Sequence, residues 1–122
     1  MIGKVDKCQL GLYSLMPKSK KTKDAPHYAL ADVKALIASG SVDIWSNALT
    51  SADQDFGWDS ADILNALAKL NEGDFYKRDV SPKNRFLVMD FYKATVMNER
   101  IYTHFYIDDK LERLVVQSFK QE

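Results

Sequence analysis

The sequence predicts an α+β fold, an antiparallel sheet with helices packed on one face. Three observations carry this expectation. Apolar residues recur at helical spacing early in the chain: Leu30, Val33, Leu36 and Ile37, then Ile63, Leu64, Leu67 and Leu70. After Asp74 the pattern changes to runs rich in aromatic and β-branched residues. The order, helices first and strands afterwards, favours segregated layers over an alternating α/β arrangement.

The elements follow in order. The first helix is predicted from about Leu30 to Ser39, with Gly40 as its stop. Val42-Asp43-Ile44-Trp45 is short and reads as extended. Ser46 is a candidate cap for one helical turn through Ala48, Leu49 and Ala52, and Asp53 to Trp58 reads as a loop. Asp59 or Ser60 caps a second long helix with Asp62 in its first turn, closed by Asn71-Glu72-Gly73. Three strands of a meander are expected at 85–92, 100–107 and 114–120, with Asp108-Asp109-Lys110 as a turn. Phe75-Tyr76-Lys77-Arg78 is a fourth strand or the lead into one.

The 122 residues amount to one domain, here divided into an extension (1–25) and a single globular unit (26–122). The extension contains Lys18-Ser19-Lys20-Lys21-Thr22-Lys23-Asp24, which reads as a solvated linker. Leu10, Leu12, Tyr13, Leu15 and Met16 precede it as a short strand or helix. Net charge is zero, but it is unevenly spread. Residues 29–74 carry two basic and eight acidic residues, whereas 75–122 carry nine basic and seven acidic. A nucleic acid would therefore sit on a surface built from the second segment. Cys8 stands alone, which precludes an internal disulfide. With no secretory signal and no apolar run long enough to span a bilayer, a cytoplasmic location is expected.

Several chemistries find no support. His27, His104 and Cys8 lack zinc-ligand spacing, and neither a glycine-rich phosphate loop nor a G-x-S-x-G elbow is present. No metal and no cofactor are expected. What remains is a polar set on the predicted sheet. Alternation puts Arg100, Tyr102, His104 and Tyr106 on one face, and Ile101, Thr103, Phe105 and Ile107 on the other. In the last strand Ser118 and Lys120 share a face, opposite Val115, Gln117 and Phe119. An ordinary amphipathic sheet with one wet face has the same pattern.

Ordered strings along residues 26–121 resemble the MqsR toxin family. In the first half these are Pro26-His27, the Val33/Leu36 helix with Gly40 and Val42, and Ser46-Asn47-Ala48-Leu49. In the second they are Asp74-Phe75-Tyr76-Lys77, Val80, Asp90-Phe91-Tyr92, Ile101-Tyr102 and Ser118-Phe119-Lys120. The resemblance implies a RelE-like fold and an endoribonuclease that cleaves mRNA and is neutralised by a cognate antitoxin. It implicates Lys77, Tyr102 and Lys120. A Gln expected before the Asp of the D-x-Y strand is replaced here by Met89.

These residue types suit RNA cleavage by 2′-hydroxyl attack. The reaction needs a base, cations for the phosphorane and an acid for the leaving oxygen. Lys77 and Lys120 would supply point charges, and Tyr102 would orient the 2′-hydroxyl or donate to the leaving group. His104, two residues beyond Tyr102, offers an imidazole whose ordinary pKa of about 6.5 suits proton transfer. Packing at the surface is its alternative. Arg85 and Arg100 are expected at phosphates, while Lys83 and Lys93 read as solvated. Tyr92 and Tyr106 are expected to stack on bases or to pack. The alternatives to an enzyme are a catalytically weak or inactive RNA- or protein-binding module on the same scaffold, or an unrelated small α+β interaction domain.

Overall fold

The structure, a computed structural model, describes residues 25–122. The expected Lys-rich linker, the apolar stretch at 10–16 and Cys8 lie outside the described residues.

Three helices come first: α1 (Leu30–Ala38), α2 (Ser46–Phe56) and α3 (Ser60–Ala68). A short strand, β1 (Val42–Ile44), separates α1 from α2. Gly40, at φ 75°, ends α1. It donates to the Ile37 carbonyl while Ser41 donates to that of Leu36, the paired bonds of a Schellman stop. α3 starts on a reciprocal box. Asp62 N–H donates to Asp59 Oδ1 at 3.0 Å, and Asp59 N–H donates to Asp62 Oδ2 at 3.2 Å. α2 is longer than expected. Ser46 lies inside it rather than capping it, and the supposed loop at 53–56 continues the helix until Gly57, at φ 71°, stops it. The polar run Asp53-Gln54-Asp55 hides this continuation because it lies on the exposed side, while Phe56 packs against the core.

A 3-10 turn (Glu72–Asp74) then leads into β2 (Phe75–Val80), β3 (Val88–Val96), β4 (Glu99–Asp108) and β5 (Arg113–Gln121). β3 begins at Val88 rather than Arg85, because residues 81–87 form its connection to β2, closed by Ser81 N–H to the Leu87 carbonyl at 2.9 Å. The strand order is β1-β5-β4-β3-β2. β2 to β5 pair antiparallel, but β1 runs parallel to β5, with Val42 opposite Leu114. The sheet is thus mixed, not purely antiparallel. Three residues are too few to show alternation, and their partner lies far down the chain.

All three helices cover one face of the sheet. Leu30, Val33, Ala48, Ala52, Ile63, Ala66, Leu67 and Leu70 form one buried cluster with Phe75, Tyr92, Ala94, Ile101, Phe105, Leu114, Val116 and Phe119. Burial of this apolar surface drives the layering. The alternation expected for β4 is observed: Ile101, Thr103 and Phe105 point into the core.

Two bulges interrupt the pleat. In β2, Phe75 pairs with Tyr92 and Lys77 with Phe91, so Tyr76 is an extra residue. In β5, Val116 pairs with Phe105 and Ser118 with His104, so Gln117 is extra. The second bulge corrects the expected faces of β5: Val116 and Phe119 point to the core, and Val115, opposite Tyr106, does not. Its carbonyls are satisfied from outside the strand ladder. Asn47 Nδ2 donates to the Gln117 carbonyl at 2.9 Å, and Thr103 Oγ1 donates to that of Ser118 at 2.6 Å.

Asp90 is fully buried beneath the segment that precedes α1. Its two oxygens accept the backbone N–H groups of His27 and Tyr28, each at 2.9 Å. Tyr28 Oη donates to the Val88 carbonyl at 2.7 Å. Burial and the nearby Asp90 charge raise the Tyr28 phenol to about 12. Asp90→Ala should remove both charge-assisted bonds and lower unfolding stability by about 3 kcal/mol, read as a lower urea midpoint. An unchanged midpoint would refute this anchoring role.

Candidate active site on the open face of the sheet

The face opposite the helices collects the polar residues. Each strand contributes by register. Tyr102 on β4 lies directly between Lys93 on β3 and Lys120 on β5. One row along, His104 lies between Phe91 on β3 and Ser118 on β5, and Phe91 in turn pairs with Lys77 on β2. Residues far apart in sequence thus form two adjacent cross-strand rows.

The β2 bulge explains how both Tyr76 and Lys77 reach this face while Phe75 points to the core. Tyr76 meets Tyr102 edge-on, with ring centroids 6.1 Å apart. Lys77 Nζ lies 4.8 Å from the Phe91 ring centre, and Lys93 Nζ lies 4.0 Å from that of Tyr76. Lys93 and Lys120 stand on either side of Tyr102, at 5.4 and 5.8 Å from its ring centre. Lys77 also pairs with Asp79 at 3.5 Å, an exposed contact that holds it only loosely. Among the described residues Lys120 makes no ion pair.

His104 stacks on Phe91, with ring centroids 4.5 Å apart and planes inclined by 28°. Its pKa is lowered from the ordinary imidazole value, first by burial and then by the charges of Lys120 and Lys77. Burial and the two ammonium charges thus both favour the neutral imidazole.

The expected residues divide clearly. Lys77, Tyr102, His104 and Lys120 are brought together. Arg100 lies at the exposed end of β4, donating to Thr95 Oγ1 at 3.0 Å and ion-paired with Glu122. Arg85 sits in the β2–β3 connection, 5.7 Å from the centre of the exposed Phe86 ring. Tyr92 requires correction. It is fully buried and stacked on Phe105, so it cannot meet a base. The D-x-Y strand alternates, and Tyr92 shares the core parity of Asp90 and Ala94. Burial first, and then Asp90, raise its phenol to about 12. Tyr106 lies beyond His104, its pKa raised by burial, Asp108 and Asp43, away from the lysines. Lys93, expected to be solvated, joins the cluster and also pairs with Glu122 at 3.5 Å. The alternation Met89, Phe91, Lys93 was the signal for it.

Next to His104 the face dips into a groove of about 370 Å³ lined by residues including Trp45, Lys83, Met89 and Gln117. A larger depression of about 590 Å³ lies elsewhere, lined in part by Asp32, Asp109 and Glu112. Those carboxylates would repel a polyanion. Among the described residues no group of His, Cys, Asp and Glu is arranged to hold a metal ion, and no helix is long and apolar enough to cross a membrane.

No curated protein matches the chain. A family model does match, over residues 25–121, and its description reads "Motility quorum-sensing regulator, toxin of MqsA". The match spans every helix and strand that builds the basic face. The chain belongs to this MqsR family of toxins, the toxin partners of toxin–antitoxin pairs.

Proposed function

We propose that the chain is an endoribonuclease toxin of the cytoplasm that cleaves mRNA, needs no cofactor for the chemistry and is neutralised by a cognate antitoxin. One observation carries the reading: Lys77, Tyr102, His104 and Lys120 converge from three strands on one open face. Helices on one side of a largely antiparallel sheet, with reactive groups on the other, suit a RelE-like toxin.

In the proposed reaction the RNA 2′-oxygen attacks the adjacent phosphorus, and the bond from phosphorus to the 5′-oxygen breaks. The products are a 2′,3′-cyclic phosphate and a 5′-hydroxyl. Neutral His104 takes the 2′-hydroxyl proton. Lys77 and Lys120 stabilise the charge that gathers on the phosphorane oxygens. Tyr102, between two ammonium groups, donates the proton to the departing 5′-oxygen. Lys93 reinforces the field at Tyr102, and Arg100 contacts a flanking phosphate in exchange for Glu122.

Met89 favours a second reading, an RNA-binding module with little or no catalysis. It is nearly buried and offers no hydrogen bond where the resemblance expects Gln. Purified full-length protein incubated with a naked transcript separates the two: discrete cuts support the enzyme, and binding without cuts supports the module.

If the enzyme reading holds, Lys77→Ala and Lys120→Ala should each slow cleavage by about 10²- to 10³-fold without altering the thermal melting profile. His104 acts as a base only when neutral, so kcat/KM should rise with pH through its lowered pKa, below about 6.5, and then level off. His104→Ala should remove that acid limb. Wild-type rates and an unchanged pH profile in this variant would exclude His104 from the chemistry.

A further inference from the structure

The Gln117 bulge leaves one polar group without a partner. The Gln117 side chain is only 7% exposed, and its Oε1 is buried with no hydrogen-bond partner. A buried carbonyl left unpaired carries a desolvation cost that a ligand donor would relieve. Gln117 lines the groove beside His104. The groove's other walls include the polar Ser81 and Asp79, the latter paired with Lys77 at 3.5 Å, beside apolar and aromatic groups. Val80 and Met89 are apolar, and Trp45 presents an indole that is 46% exposed. Lys83 stands among the lining residues in the β2–β3 connection.

The geometry points to a nucleobase subsite: the groove takes the base adjacent to the scissile phosphate, and the Gln117 amide turns toward it so that the buried, unpaired Oε1 accepts a hydrogen bond from the base's exocyclic amino group. The assignment rests on the ribonuclease reading for the word scissile, but on the groove alone for the base. An anion does not fit, because an uncharged carbonyl oxygen repels phosphate oxygens and Val80 and Met89 cannot solvate them. A flat heteroaromatic ring does fit. It stacks on Trp45, covers Met89 and supplies the missing donor. The groove shares His104 with the basic rows, so a strand whose phosphate lies among Lys77, His104 and Lys120 reaches it with a neighbouring base. Lys83 then meets the next phosphate. Adenine and cytosine present the required amino group.

The test uses full-length protein and 2′-O-methylated tetranucleotides, which cannot be cut. One pair compares adenosine with purine riboside, and a second compares cytidine with 2-pyrimidinone riboside, each analogue lacking only the amino group. Binding is read from tryptophan fluorescence. Trp45→Phe separates the groove signal from that of Trp58, which packs against Phe56 and Phe119. Wild type should prefer the amino-bearing member of at least one pair by about five- to tenfold, the worth of one hydrogen bond. Gln117→Met should bind both members equally. Should Gln117→Met fail to fold, Trp45→Ala at the exposed wall should weaken both members alike, read by calorimetric titration because the reporter indole is gone. Equal binding by wild type, a preference unchanged in Gln117→Met, or a fluorescence response to the cognate antitoxin but to no tetranucleotide overturns the subsite. Base-selective binding by a protein that leaves transcripts uncut would keep the subsite and refute the ribonuclease. Cleavage without base-selective binding would do the reverse.

Discussion

The register of β5 against β4 is the constraint on which the rest of the molecule depends. Thr103 opposite Phe119 closes the core, and Tyr102 opposite Lys120 builds the open face. Side chains alternate with a period of two, so a slip of one residue would carry Phe119 into water and Lys120 beneath the helices. The bulge at Gln117 lets both halves of β5 satisfy this demand. Val116 and Phe119 are three apart, yet both face the core, because one residue between them is unpaired with β4. Asn47 from α2 and Thr103 from β4 hold the bulge by accepting no compromise in backbone pairing: each donates to one of its carbonyls. The helical layer thereby fixes the geometry of the opposite face.

The two layers also divide the electrostatics. The acidic residues lie mainly on and around the helices, and the lysines of the cluster rise from the strands. The separation lets a chain with no net charge present a locally positive surface. Within that surface, crowding of like charges has a chemical consequence. Lys77 and Lys120 oppose protonation of His104, and burial acts in the same direction. Asp90, the buried carboxylate near the start of β3, has a different role. It secures the chain entering α1 through His27 and Tyr28, and so couples the start of the helical layer to the sheet.

Much of the fold was legible in the chain. The α1 stop at Gly40, the Asp59–Asp62 box and the inward parity of Ile101, Thr103 and Phe105 are local signals, and local physics determines them. The site was legible in part. Tyr102 and His104 share a face because they are two residues apart on one regular strand. Lys77 could be assigned only through the resemblance, since strict alternation from the core-facing Phe75 would have pointed it inward, and only the extra residue Tyr76 turns it to the open face. For Tyr92 the sequence allowed both stacking on a base and packing, because an aromatic in a polar-looking string suits both, and its shared parity with Ala94 places it in the core. Lys93 was passed over although the same strand alternation exposes it.

By itself the sequence determined the layer order, the capped helices, the strand periodicity and the family strings, all properties of residues close together along the chain. Only the tertiary structure decided the parallel addition of β1 to β5, the true extent of α2 and the two bulges. It also decided the meeting of Lys77, Lys93, His104 and Lys120. Each of these depends on which strand lies beside which and in what register. That choice is made by burying one common core from segments far apart in sequence, and no single segment encodes it.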